Sequence, residues 1–320
     1  NVASPLPSFF RFRMTHRASF QKIFAGLLMI SMLALTSKDT QSKTETSGSI
    51  SLAYEYDSND SVDEIDRSSS KGDSASLFNA DLRVTHDFTD TTSSSVSLDY
   101  THVGYRTFDQ LNRKTLILSA NVDKSMGAYT VGLDYFFIDA RLNGKKFLSY
   151  QRIAPSVSGF LNKRWFVRAS YVYAEKSIEN RPGREAINDG LEMDAYYFVS
   201  GLRQYLNLGY TFRNEDSVAE RYAYESHQVK LRGVYRTDVL GRLAAMRIGV
   251  RYEDRAYRGL SPSIEERRWD NRLRFSAEFE IPVSENFYVT FYGGYGDYDS
   301  NLPSADYYQS ILGGRIEFVF

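Results

Sequence analysis

Residues 269–281 read "WDNRLRFSAEFEI", and apart from Asn271 every second side chain is apolar: Trp269, Leu273, Phe275, Ala277, Phe279 and Ile281 share one side. Asp270, Arg272, Arg274, Ser276, Glu278 and Glu280 share the other. A period of two is that of a β-strand with unlike faces. At this length the strand is about twice the roughly 5–6 residues usual in soluble sheets and matches the ~9–11 residues of a tilted membrane-crossing strand.

The same alternation recurs along the chain. Fourteen runs are legible, at about 48–57, 75–88, 94–107, 114–124, 127–140, 146–161, 164–177, 187–200, 203–215, 222–236, 242–257, 267–282, 286–299 and 306–320. The first, seventh, ninth and eleventh connections are long, as in "SNDSVDEIDRSSSKG" and "SIENRPGREAIN", whereas the even-numbered ones are tight, as in "TDTT", "MG", "NK" and "VSEN". That parity is expected of antiparallel strands with short turns at one end and loops at the other. Composition agrees: 24 Tyr and 21 Phe against 7 Pro and no Cys favour strands and exclude disulfide or thiolate chemistry.

Aromatics on the apolar face fall near strand ends. Tyr54, Tyr56, Tyr135, Tyr171, Tyr173, Tyr210, Tyr252, Trp269, Tyr295 and Tyr308 lie toward the loops; Phe88, Tyr129, Trp165, Tyr197, Tyr235, Phe279, Phe287 and Phe320 lie toward the turns. Aliphatics such as Val131, Leu208, Ile248 and Val250 sit between. Amphipathic rings prefer the headgroup level, so this pattern reads as two girdles around a lipid-facing band. The expected fold is all-β: a transmembrane antiparallel up-and-down β-barrel of about 14 strands, in residues 48–320.

Residues 23–35 ("IFAGLLMISMLAL") form the one long continuous apolar segment, preceded by Arg17 and Lys22. It is too short for a membrane helix and fits the core of an export signal. The reading is therefore an upstream non-native extension over 1–13, a signal peptide over 14–37 starting at Met14, and a lead-in over 38–47.

The chain ends "SILGGRIEFVF" at 310–320, a strand that needs a partner to be stable at a terminus. Pairing with the first strand would close the sheet and leave no edge in lipid. An apolar alternating last strand with a terminal Phe, here Phe318 and Phe320, resembles the assembly signal of bacterial outer-membrane barrels. Residues 268–320, with "DSN" and "ADY" at their last loop, are similar to the C-terminal region of porin-like barrel families and to the barrel half of surface lipoprotein assembly modifiers. The resemblance implies residence in the bacterial outer membrane among lipid and lipopolysaccharide, and handling by the barrel-assembly machinery.

Inward charge is segregated. The first five strands direct Glu55, Asp81, Asp99, Asp123 and Asp134 inward against Arg83 alone. The ninth to twelfth direct Arg203, Arg213, Lys230, Arg232, Arg236, Arg247, Arg251, Arg255, Arg272 and Arg274 inward, against Glu253, Asp270, Glu278 and Glu280. Either these charges pair and fill the barrel, or they line a water-filled pore for small hydrophilic or charged solutes. A passive porin-like channel is the expected function; a secretion or surface-lipoprotein translocation barrel, or an adhesion or structural barrel, are the alternatives. No outer loop exceeds about twenty residues, so none reads as a plug.

Other chemistry has little support. His86, His102 and His227 all fall on the lipid side by strand phase, which suits interfacial packing rather than catalysis, so no enzyme is expected. Asp57, Asp60, Asp63, Glu64 and Asp66 in the first loop could hold a divalent cation, but their spacing fits no defined loop. No metal or cofactor is expected. With a net charge of −1, nucleic acid is not an expected partner.

Overall fold

A computed structural model describes residues 43–320 except Ser70 and Leu240. The extension, the signal peptide and the start of the lead-in lie outside the described residues. Fourteen strands close into one antiparallel barrel: β1 Lys43–Asp57, β2 Asp73–Thr89, β3 Thr92–Tyr105, β4 Arg113–Met126, β5 Tyr129–Leu142, β6 Lys145–Asn162, β7 Trp165–Ile178, β8 Ala186–Ser200, β9 Gln204–Ser217, β10 Tyr224–Val239, β11 Arg242–Ser261, β12 Glu266–Pro282, β13 Phe287–Ser300 and β14 Tyr307–Val319. All fourteen coincide with the alternating runs. Among the described residues no helix is long and apolar enough to cross a membrane; the crossing elements are strands.

Strand β1 starts at Lys43, five residues before the alternation begins. "KTETS" has no apolar face, but it extends the ladder with β2, with Thr44 opposite His86. β1 pairs with β14 only from Ser49 onward, opposite Val319. This stagger between the two seams is the shear that a tilted barrel requires. The last residue completes the seam: Gly48 and Phe320 exchange both backbone hydrogen bonds at 3.0 Å, and the Phe320 ring fills the space where a Cβ on Gly48 would stand. Phe318 stacks between Phe320 and Phe287, with ring centres 6.1 and 4.9 Å away.

The hydrophobic surface is outside. Leu52, Leu208, Ile248 and Leu312 are all more than half exposed, as are Tyr54, Tyr56 and Phe320 near the two ends. Tyr135 departs from this pattern: it lies in phase with the outer face but is only 3% exposed, covered by its neighbours and donating to Gln151 at 3.4 Å.

Connections alternate as expected, with one outer link much tighter than the rest. Asn143 and Gly144 both take positive φ, 47° and 72°, so β5 and β6 join through a two-residue hairpin of the primed type. Five of the other outer loops carry single 3-10 turns, such as Asp109–Leu111 and Pro182–Arg184; the eleventh connection, read as long, is a turn over 262–265 because β11 and β12 extend to Ser261 and from Glu266.

Candidate pore lumen

Strand alternation fixes which side chains share the interior, and ring order fixes which walls oppose. In a ring of fourteen, β3 and β10 are seven strands apart in either direction, so the acidic β1–β5 wall faces the basic β9–β12 wall. On the acidic wall, Glu55 accepts from Tyr292 Oη at 2.8 Å, Asp81 from Ser49, and Asp99 from Ser97 at 3.3 Å. Asp134 accepts from Asn121 at 2.9 Å and pairs with Arg168. Asp123 occupies the space a Cβ on Gly132 would need.

The basic wall divides by height. Toward the outer mouth its charges are partnered: Arg255 with Glu253 at 2.7 Å, Arg272 with Asp270 at 3.3 Å, and Arg213 within 3.5 Å of the Tyr224 hydroxyl. Asp270 is nearly inaccessible; it also accepts from Arg268, from Tyr257 at 3.2 Å and from Ser300 at 2.8 Å. Lower down, Arg247 forks onto Glu280 at 3.0 and 3.1 Å. At mid-height the supply of carboxylates runs short. Lys230 meets Asp194 at 2.9 Å and Arg274 only approaches Glu253 at 3.8 Å. Arg232 and Arg251 have no ion-pair partner among the described residues.

Two of the sequence assignments move to the rim. Arg203 is not on a strand; it lies in the β8–β9 turn, where it pairs with Asp238 at 3.7 Å with both side chains mostly exposed. Arg236 donates to the Leu202 carbonyl of that turn. Arg203 falls where the alternation runs into the turn, which breaks the phase, whereas Arg236 keeps the inward phase of β10 at that strand's turn end. Arg113 joins Arg83 on the inner face of the acidic wall, where it shares the phase of Asn121 and Asp123. On the walls between, Arg152 pairs with Glu192 at 2.6 Å and Lys176 with Glu215. Alternation alone already marks these charges as inward.

The first outer loop, 58–72, crosses the mouth, which overturns the expectation that no loop acts as a plug. Val62 is 4% exposed and packs into a cluster with Leu111, Ala140, Phe147 and Ile178, against the inner wall from β3 to β7; Ile65 adds to it. Asp66, at a φ of 52°, then reaches two arginines at once. One is Arg268 of β12 at 2.7 Å; the other is Arg184, in the β7–β8 loop across the ring from β1. Both guanidiniums are braced by stacking, Arg184 over Tyr222 at 4.0 Å and Arg268 over Tyr257 at 4.6 Å. Burial alone would raise the Asp66 carboxyl, but Arg268 and Arg184 outweigh it and hold it below the ordinary carboxylate range. Beneath this cap lies a cavity of about 390 Å³ bounded by Tyr150, Arg213 and Tyr257, and at mid-height another of about 580 Å³ against the basic wall.

Asp66 is committed to its arginines, and among the described residues no group of three or more potential ligands is placed for a metal ion. Asp60 is fully buried at the loop's base, and neither carboxylate oxygen has a hydrogen-bond partner. Burial, followed by Asp57, Asp73 and Glu55 nearby, pushes it up to about 7.

The three histidines among the described residues, His86, His102 and His227, stay on the outer face. His86 is 6% exposed, bonded to Thr44 at 2.8 Å and edge-on to Phe88; His227 meets Tyr210 Oη at 2.8 Å.

A closed barrel with an apolar, aromatic-girdled exterior and a charged interior defines an outer-membrane β-barrel of the porin-like type. No protein-family model matches the chain, and no curated protein matches its sequence. Solved structures share its fold. The anion-selective porin from Comamonas acidovorans aligns with a TM-score of 0.53 at 9% identity, over 88% of this chain and 100% of that one. The outer-membrane expressed OmpT of Vibrio cholerae aligns with a TM-score of 0.53 at 10% identity, over 89% and 99%. At such identities the likeness is one of fold alone.

Proposed function

We propose that the barrel is a passive, non-enzymatic channel for small hydrophilic solutes, with a preference for anions, and that the first outer loop narrows its entrance. The observation that carries this reading is the mid-height lumen: a cavity of about 580 Å³ walled by Lys230, Arg232, Arg247, Arg251 and Arg274. Of these, Arg232 and Arg251 have no ion-pair partner among the described residues; a filled, purely structural barrel would pair them too, because unpaired cations in a dry interior are costly. Cations without carboxylates are tolerated where water reaches them, and rings of such groups select ions by sign. Purified protein in a planar bilayer should give discrete conductance steps in KCl, and proteoliposomes should swell in small sugars but not in large ones. Silent bilayers together with unswollen liposomes would remove the reading.

A further inference from the structure

Cross-strand register makes the mid-height patch a built recess rather than a scatter of bases. Lys230 stands opposite Arg251, and Arg251 opposite Arg274, so three cations occupy consecutive positions in one row across β10, β11 and β12. Directly opposed side chains have Cβ atoms about 4.5–5.5 Å apart, and like charges there are destabilising. In the next row toward the periplasm, Arg232 is followed by Gly249, Ser276 and Gly294. Three small residues in succession on the inner face leave a shallow floor below the cationic row, with Arg232 at its side. At Gly294 an added Cβ would touch only the Phe275 carbonyl at 3.4 Å, so the space there is open and is not taken up by a neighbour. Nearby carboxylates reach only the two ends of the row, Asp194 at Lys230 and Glu253 at Arg274; Glu278, which borders the same cavity one row below the floor, is neutralised by Arg247 at 3.6 Å.

Opposed cations beside an open floor cost stability, and Arg251 at their centre has no ion-pair partner among the described residues, whereas Lys230 leans over Gly209 to Asp194. We propose that this recess is a specific binding site for the oxyanion group, carboxylate or phosphate, of a small solute in transit, with Arg251 as the central ligand and Arg232 and Arg274 flanking it. A fork-shaped guanidinium matches either oxyanion with paired N–H donors. The floor of Gly249, Ser276 and Gly294 lets the anion sit against the wall, and Tyr205 of β9, which borders the same cavity, offers a face for the body of the solute. This rests on the channel reading above and adds to it a saturable site.

Titration calorimetry on the purified, detergent-held barrel separates the two ideas, with inorganic phosphate, succinate and choline chloride as probes. Phosphate, succinate or both should bind and choline should not; whichever binds more tightly identifies the preferred oxyanion. Losing one charge-assisted contact of about 1.5–3 kcal/mol corresponds to roughly tenfold or more in affinity, which is the loss expected for Arg251→Gln. Gly294→Leu should abolish binding by occupying the floor, and Arg83→Gln on the opposite wall should leave it unchanged. Equal affinity in wild type and Arg251→Gln, or an equal loss in Arg83→Gln, would overturn the site. Conductance recorded on the same preparations keeps the readings apart: conduction without binding overturns the site alone, whereas binding without conduction overturns the channel.

Discussion

The outer third of the lumen and its middle are built from the same residue types and end in opposite states. Near the mouth, Arg184, Arg268, Arg272 and Arg255 each face a carboxylate, all four lie over tyrosine rings, and Asp270 collects four donor side chains. At mid-height, Arg232 and Arg251 have no ion-pair partner, and Lys230, Arg251 and Arg274 crowd one row. Arginine count therefore says little about a lumen. Where partners are supplied, the charges cement a cap; where they are withheld, the charges remain available to whatever passes.

The comparison breaks most severely at Asp270. Replacing it with Ala strands buried arginines, and removing one partner of a buried pair costs about 3–5 kcal/mol. Asp270→Ala should lower the thermal melt of the folded, heat-modifiable barrel sharply, while Arg251→Gln leaves the melt unchanged or raises it, since relieving opposed like charges is worth about 0.2–1 kcal/mol. Equal melts for the two variants would erase the distinction.

Loosening the cap should come next in size. Asp66→Asn removes the charge that both Arg184 and Arg268 hold, so loop 58–72 should become cleavable by added protease and conductance should rise, with β1 and β2 intact. An unchanged conductance would mean that the loop does not narrow the path.

The latch also has a pH window. Asp60 is buried without partners and raised to about 7, so its contribution to the packed loop is fully present below its ordinary pKa of 3.8 and is lost as pH rises through about 7. Asp66 has the opposite sign: its lowered pKa makes its contribution present above 3.8 and lost as pH falls below that. The groups facing Asp60 are Asp57 and Glu55 of β1 and Asp73 of β2. Conductance should therefore be higher at pH 8 than at pH 5, and Asp60→Asn should flatten that rise. A rise that survives in Asp60→Asn would assign it to another group.

A smaller effect is expected at the seam, far from the lumen. Deleting Phe320 removes the ring that covers Gly48 and the two backbone bonds at the closing pair. The fraction of protein that becomes heat-modifiable barrel should fall, while each assembled molecule keeps wild-type conductance and selectivity.

What alternation could and could not reveal follows from its range. Strand number, the two faces, the girdles and the sign of each wall depend on neighbours two residues apart, and all were legible. The Asp66 latch joins residues 118 and 202 positions away, and the seat for Val62 is assembled from segments as distant as Leu111 and Ile178, so no local pattern announces it. The row of Lys230, Arg251 and Arg274 lies between these cases. Each residue was assigned inward from its own strand, but their alignment is a matter of register, which turn lengths and bulges set. Arg203 shows the converse failure, where a pattern was carried through a turn that resets it.

The central claim is that unpaired mid-height bases govern what passes through the barrel, and the reversal potential across a KCl gradient tests it most directly. The double variant Arg232→Glu with Arg251→Glu alters the two bases without ion-pair partners. The account predicts an anion-preferring reversal potential in the wild type, a shift to cation preference in the double variant, and thermal melts within about 1 kcal/mol of each other. An unchanged reversal potential, or a barrel that no longer folds, would contradict it.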